Sequence, residues 1–423
     1  MLAIAHIRAH RDKVIAALEK RAINATKQID EAIAIDEERR ATQVLLDQNL
    51  AEAKKVSAEI GALYKAGKHE EANAAKAKTG ELKATNQELD AKLKQLERSL
   101  NDALSAIPNT PHSSVPAGKD SNDNEEVRRH GEAVANPQAT PHWELTERFK
   151  LIDFETGVKI TGAGFPIYTG KGAKLQRALI QFFLDQAEEA GYTEVIPPLM
   201  INADSGFGTG QLPDKDGQMY QATEDDLFLI PTAEVPITNM YRDMILDEAS
   251  LPIKNVGYTP CFRREAGSYG KDVRGLNRLH QFDKVEIVQI EKPDRSYETI
   301  EHMVKYVEGL LQQLELPYRV LKLCGGDMGF TSALTYDLEI FSAGQERWLE
   351  VSSVSNFETY QSNRMKLRVK GADGKKYQAH TLNGSALALP RIVAGLLENN
   401  FDGERIVIPQ ALVPYTKFET IQA

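Results

Sequence analysis

Phe262-Arg-Arg-Glu-Ala-Gly-Ser-Tyr-Gly-Lys-Asp-Val-Arg-Gly275, followed shortly by His280-Gln-Phe-Asp-Lys-Val-Glu286, decides how the second half of this chain is read. Residues 256–262 and 281–290 have the β-branched, alternating character of strands. Between them lies a glycine-rich loop longer than a plain hairpin needs, and such loops inside compact domains are commonly functional. Period-two alternation puts Arg263 and Glu265 on one face of the first strand, and Phe282, Lys284 and Glu286 on one face of the second. An arginine fork, an aromatic plane and carboxylates on one sheet surface suit a nucleotide together with an amine-bearing substrate. Arginine grips phosphate bidentately and phenylalanine offers a stacking plane. Salt bridging across an antiparallel pair would use the same residue types.

Around this segment, from His142 onward, β-like runs alternate with amphipathic helical stretches at 175–190 and 296–314. Strands dominate and evenly spaced strand–helix–strand units are few. The expected fold class is therefore α+β, a mostly antiparallel sheet flanked by helices. No Walker A sequence or dinucleotide glycine fingerprint is present; Gly162-Ala-Gly164 lacks the third glycine. Three further segments carry polar groups at strand ends. Thr232-Ala-Glu234 follows an apolar strand, where a carboxylate would accept from an ammonium; Thr and Glu are also ordinary helix-start residues. Trp348-Leu-Glu-Val-Ser-Ser353 offers Glu350 and Ser353 as hard oxygen ligands of the kind Mg²⁺ uses beside phosphates, although a half-buried strand reads the same way. His380-Thr-Leu-Asn-Gly-Ser385 leads to Pro390 and Arg391 at the start of a helix over 392–399. A cation in a first helical turn opposes the macrodipole, so Arg391 is a hint of function.

The first 105 residues differ in kind. They contain no proline and only Gly61, Gly67 and Gly80, and are rich in Ala, Glu, Lys, Leu and Gln. Leu82, Leu89, Leu96 and Ala103 repeat at seven, interleaved with Asn86, Leu93 and Leu100. Leu46, Ala53 and Ile60 do the same with Asn49, Val56 and Leu63. Two heptad seams separated by residues 61–69 predict an antiparallel helical hairpin with arms of roughly 50 Å; a dimerising rod is the alternative. Between Lys54 and Arg98 stand ten Lys/Arg against seven Asp/Glu, a local positive excess that fits phosphate contacts or a solvated face. Residues 106–141, rich in proline and turn formers, read as a linker in which neither helix nor strand persists. The expected domains are thus 1–105, 106–141 and 142–423.

The whole chain, 423 residues with a net charge of −10, is not a basic nucleic-acid binder overall, so any polyanion contact must be local. Two cysteines, Cys261 and Cys324, are too few for a disulfide framework or a Cys-based zinc site. No apolar run reaches the ~18 residues needed to span a bilayer. Arg8, His10 and Arg11 come too early for a signal-peptide core. A cytoplasmic location without membrane attachment is the expectation.

Taken in order, these segments resemble the signature of the seryl-tRNA synthetases, the class II aminoacyl-tRNA synthetase family specific for serine. The likeness runs over nearly the whole chain, including residues 107–116 and His142-Trp-Glu-Leu145. Gly191-Tyr-Thr-Glu-Val-Ile-Pro-Pro198 is similar to the family's motif 1, which builds a dimer interface. Residues 262–286 resemble motif 2, and Ser385 through Arg391 resembles motif 3. The resemblance implies a six- or seven-stranded antiparallel sheet, a tRNA-binding hairpin, a catalytic domain over 142–423 and a homodimer. It implies that L-serine and ATP, with Mg²⁺, give seryl-adenylate, and that tRNA-Ser, with tRNA-Sec left open, takes the seryl group.

By motif position it implies Arg263 on the α-phosphate and Arg391 on the γ-phosphate as catalytic groups. Arg264 and Glu265 would lie in the same ATP-binding segment, Glu265 on the adenine side, and Phe282 would stack on adenine. Glu350, Val351, Ser352 and Ser353 fall in a second ATP-binding segment, with Glu350 and Ser353 as Mg²⁺ ligands. Thr232, Ala233, Glu234, Glu286 and Ser385 fall where the family binds serine. Departures are Arg264 where many members have Ser, Val354 where many have Cys, Gly206 in place of a larger apolar residue, and Ala-Leu-Pro-Arg391 for Ala-Val-Gly-Arg.

Overall fold

The computed structural model describes residues 1–133, 138–214, 216–266 and 274–422. Two units emerge: Met1–Glu19 with Ile23–Pro108, and Lys20–Ala22 with Asn109–Ala423.

In the first unit, short helices α1 (Ile4–Ala9) and α2 (Arg11–Glu19) precede two long ones, α3 (Thr26–Lys65) and α4 (His69–Ser105), which pack along each other. The heptad residues form that seam. Leu46, Val56, Leu93 and Leu100 are buried, and the other seam positions are half-buried. The hairpin therefore closes on itself. Its turn is confined to Ala66–Lys68, and Gly61 sits inside α3. A helix tolerates an interior glycine at about 1 kcal/mol, whereas the turn requires the left-handed conformation that Gly67 adopts at φ +75°. There the Lys68 N–H donates to the Leu63 carbonyl at 3.0 Å and the Gly67 N–H to Tyr64 at 3.1 Å, a Schellman closure. Lys78 reaches Glu52 (2.6 Å) and Lys92 reaches Glu38 (2.7 Å) across the seam, so part of the positive excess is matched within the hairpin.

The second unit is built on an eight-stranded sheet. In chain order its strands are β1 (Glu125–His130), β2 (Thr193–Glu194), β3 (Ile253–Phe262), β4 (Gln281–Glu291), β5 (Tyr318–Lys322), β6 (Leu334–Ser342), β7 (Arg347–Asn356) and β8 (His380–Ala388). The spatial order is β1-β5-β6-β7-β8-β4-β3-β2, antiparallel except at β2–β3. The helices that bear on the core and the site include α5 (His142–Arg148), α6 (Gly170–Glu189), α7 (Glu234–Asn239), α8 (Ser296–Gln313), α9 (Tyr360–Met365) and α10 (Leu389–Asn399). Phe182 and Phe183 of α6, Val304 and Leu311 of α8, and Ile392 and Leu397 of α10 share one core with Val285 and Ile287 of β4 and Leu338 of β6. Each such side chain contributes roughly 1.5–3 kcal/mol on burial. On β4 the intervening residues, Lys284 and Glu286, line a cavity instead. Alternation on one strand thus separates the core from the site.

Three expectations are corrected. The segment 106–141 contains an edge strand, β1, paired with β5 from Glu125↔Lys322 to His130↔Tyr318. Its sequence Glu-Glu-Val-Arg-Arg-His is charged because an edge strand needs little apolar surface and is guarded by charge. Asn109, in the same segment, is anchored by its side-chain amide to the carbonyls of Thr331 and Phe357, both at 2.9 Å. Among the described residues the sheet accordingly has eight strands, not six or seven. Finally, residues 20–22, assigned by sequence to the helical part, belong with the sheet. No helix among the described residues is long and apolar enough to cross a membrane.

Arg21 shows why those residues belong there. Its guanidinium is buried and donates to the carbonyls of Asn109 (2.8 Å), Met328 (3.1 Å), Gly329 (3.2 Å) and Ser332. With no carboxylate in this set, burial lowers its pKa to about 10. Replacing it by methionine, Arg21→Met, leaves those carbonyls unpartnered. It should destabilise the protein by about 2–4 kcal/mol in urea denaturation; a change below about 0.5 kcal/mol would show that the cage contributes little.

Candidate active site

The cavity on the open face of the sheet has a volume of about 640 Å³. Its residues come from β4, β7 and β8, from the chain just beyond β3, from Leu276 to Leu279 on the returning limb of the loop, from the turn before α7 and the first turn of α10, and from loop residues around Gln218 and Thr331. Of the residues singled out by sequence, Thr232, Glu234, Arg263, Glu265, Phe282, Glu286, Glu350, Val351, Ser352, Ser353, Ser385 and Arg391 all line it. Two do not. Ala233 is fully buried and packs with Ile237 and Val288 beneath the site. Arg264 donates its backbone N–H to Gln218 (2.9 Å), and its guanidinium lies 5.7 Å above the Tyr220 ring. The strand ends at Phe262, so Arg263 and Glu265 share a wall through the chain's departure from the sheet rather than through alternation. Glu265 has a left-handed φ of +49° and is ion-paired to Arg278 at 2.7 Å. Most of the long loop, residues 267–273, lies outside the described residues.

One end of the cavity concentrates carboxylates. Glu234 and Glu286 are both buried. Glu286 is ion-paired to Lys284 and accepts from the Asn383 amide (3.2 Å) and the Ser385 hydroxyl (3.4 Å). Lys284 also donates to the Thr232 hydroxyl at 2.8 Å. Glu234 accepts from Gln361 of α9 at 2.6 Å, and Gln361 is itself fixed by the Thr381 hydroxyl at 2.7 Å. Burial, and then the Glu286 charge, raise the Glu234 carboxyl to about 7. Thr232 accepts from the Glu234 N–H at 3.2 Å, so the helix-start reading of Thr232 and its functional reading coexist. This end holds two acids against one lysine. A substrate ammonium would complete the balance.

The other end is cationic and aromatic. Arg263 lies 5.1 Å over the Phe282 ring and donates to the Pro231 carbonyl at 3.3 Å. Arg391 donates to the carbonyls of Asn277 (3.2 Å) and Glu350 (2.6 Å), with the Glu350 carboxylate 3.6 Å away. Among the described residues no cluster of His, Cys, Asp or Glu forms a complete metal site. Glu350 and Ser353 are a donor set for a cation that brings water and phosphate oxygens, as Mg²⁺ does. Opposite Ser353 on β6, Asp337 is half-buried, with one shielded carboxylate oxygen lacking a hydrogen-bond partner; desolvation and then Glu350 hold its carboxyl well above the usual range. A cation beside Ser353 fits that unsatisfied acid. Sequence reasoning gave no role to Lys284, Asn383 or Gln361. Alternation places Lys284 on the face of Glu286 without giving it a role, and alternation with Ser385 marks Asn383, while nothing local marks Gln361.

Residues 218–400 match the family model of the class II tRNA synthetase core domain for Gly, His, Pro, Ser and Thr, and residues 1–111 match that of the seryl-tRNA synthetase N-terminal domain. Sheet and cavity are accordingly those of a class II aminoacyl-tRNA synthetase. The chain is 50% identical to the serine–tRNA ligase of Salinibacter ruber over the whole of both chains. It is 47% identical to that of Akkermansia muciniphila over 98% of this chain and 97% of the relative. Among solved structures, it is similar to the seryl-tRNA synthetase of Pyrococcus horikoshii complexed with ATP, with a TM-score of 0.93 and 35% identity over 100% and 99% of the two chains. The cytoplasmic serine–tRNA ligase of Naegleria fowleri with AMP matches at a TM-score of 0.88 and 25% identity, with the same coverage. With half its residues shared with such a relative over its full length, the chain belongs to the serine–tRNA ligase family.

The buried ion pair makes a testable demand. Lys284→Met leaves Glu286 charged and uncompensated, which should cost about 3–5 kcal/mol of stability. Adding Glu286→Gln should recover most of that loss. Equal denaturation midpoints for Lys284→Met and the parent would show that Glu286 finds another partner.

Proposed function

We propose that the cavity activates L-serine with ATP to seryl-adenylate and pyrophosphate, and then passes the seryl group to the 3′ end of tRNA-Ser. The observation that carries this reading is the pairing, in one cavity, of a two-acid, one-lysine pocket with an arginine–phenylalanine platform. Glu234 receives the substrate ammonium beside Thr232. Glu286 and Ser385 take the serine hydroxyl, which leaves little room for an extra methyl. Phe282 stacks on adenine with Glu265 at its edge, Arg263 binds the α-phosphate, and Arg391 holds the γ-phosphate. The serine carboxylate attacks the α-phosphorus itself, so no side chain need act as nucleophile or strong base. Catalysis is then positioning plus neutralisation of phosphate charge. Glu350 and Ser353 would hold Mg²⁺ together with ATP, and the ion would supply further neutralisation of the phosphates.

The hairpin lies along the long variable arm of tRNA-Ser, reading backbone and shape rather than base sequence; tRNA-Sec is a second candidate for the same surface. The match of residues 1–111 to a seryl-tRNA synthetase N-terminal domain supports this. A homodimer forms through residues 191–198 and their surroundings, where Ile196 is 89% exposed and Leu199 and Met200 are exposed beside it. The location is cytoplasmic.

Pyrophosphate exchange that needs serine, with threonine, alanine and glycine as competitors, tests the reading. Arg263→Ala should lower exchange by about 10²-fold or more; a near-normal rate would remove its phosphate role. The pH dependence follows from Glu234. A carboxyl raised to about 7 is protonated and uncharged below that pH, so the ammonium partner is lost as pH falls through 7. The serine KM should rise on acidification from pH 8 to 6. Glu234→Gln should have a high serine KM that no longer changes over this range. A flat KM in the parent chain would place the ammonium elsewhere.

A further inference from the structure

Helix α10 is tied to the returning limb of the long loop at two places. In its first turn Arg391 donates to the Asn277 carbonyl at 3.2 Å. Two turns later the same helix carries Glu398, fully buried. Its carboxylate accepts from His142 Nδ1 at 2.7 Å and from the His142 backbone N–H at 2.9 Å. The opposite edge of that imidazole, Nε2, accepts from the Leu276 N–H at 2.8 Å. A ring nitrogen that accepts cannot carry the proton, so the neutral ring is protonated on Nδ1, facing Glu398. Consecutive residues of the loop are thus held to one helix, Leu276 through His142 and Glu398, Asn277 through Arg391. Gln345 braces the same ring of contacts, donating to Glu398 at 3.2 Å and accepting from the Asn277 amide at 2.9 Å. Gly275 packs on the imidazole edge: a Cβ there would sit 2.3 Å from Nε2, at a backbone φ of +67°.

His142 has no solvent exposure and does not line the cavity, whereas Leu276 and Asn277 do. We propose that His142 is a positioning residue for the nucleotide: by fixing the Leu276 amide it sets the Asn277 carbonyl that aims Arg391. The proposal rests on the reading of Arg391 as the γ-phosphate ligand. A mere strut between α5 and α10 would affect stability and both substrates alike. A positioning role falls on ATP alone.

The experiment is serine-dependent pyrophosphate exchange on the full chain. His142→Asn keeps a donor toward Glu398 and removes the acceptor for Leu276. It should raise the ATP KM about tenfold while the serine KM stays within about twofold. Gly275→Ala disturbs the same contact from the loop side with His142 and Glu398 both present, and should give the same ATP-selective rise. In an Arg391→Ala background, His142→Asn should add no further rise, because the group it positions is gone. A folded His142→Asn or Gly275→Ala chain with a normal ATP KM, or with both KM values raised together, overturns the proposal. So do multiplicative effects of His142→Asn and Arg391→Ala. A normal ATP KM in Arg391→Ala alone would instead remove the γ-phosphate reading, and the positioning role with it.

Discussion

The arrangement depends on strand β4 being divided along its length. Val285 and Ile287 join the helix-covered core, while Lys284 and Glu286, between and beside them, are buried toward the cavity. Removing two carboxylates and an ammonium from water is costly, and attraction between them offsets that cost only where the remaining donors and acceptors are satisfied. Here Thr232, Asn383, Ser385 and Gln361 supply those partners from three separate segments. The register of β4 with β8, in which Glu286 faces Ser385, and with β3, in which it faces Gly257, makes the arrangement possible. The sheet thus holds the pocket's charges at fixed positions while the opposite face provides the stability.

What could be read in the sequence was whatever repeats or alternates locally. The hairpin followed from heptads in which every seam residue is at least half-buried, and the site from strand ends whose polar residues interrupt apolar runs. Lys284 was placed on the correct face by alternation, yet its partner Thr232 lies 52 residues away and no local signal pairs them. Composition does not say which of Gly61 and Gly67 needs a positive φ; the hydrogen bonds around Gly67 do.

What could not be read was held by contacts distant along the chain. His142 and Glu398 are 256 residues apart, and a His-Trp-Glu-Leu stretch at a helix start gives no hint of a fully buried imidazole. The strand Glu125–His130 is illegible for the opposite reason: it is so polar that it resembles a tether, and only its pairing with β5 reveals it. Arg264 illustrates a third limit. It sits between two cavity residues, but the strand has ended by then, and its guanidinium rests on Tyr220 instead.

The position of Lys20–Ala22 changes how the helical arm is inherited. The chain passes through the sheet-bearing unit before it enters α3 and rejoins that unit at Asn109. The long hairpin is therefore an insertion with two junctions, not an appendage with one. A chimera that borrows the arm of a distant relative by a single crossover near residue 105 would carry a foreign Arg21 equivalent into a native carbonyl cage. Grafting at both junctions, and leaving residues 20–22 with their own sheet, is the exchange that this architecture accommodates.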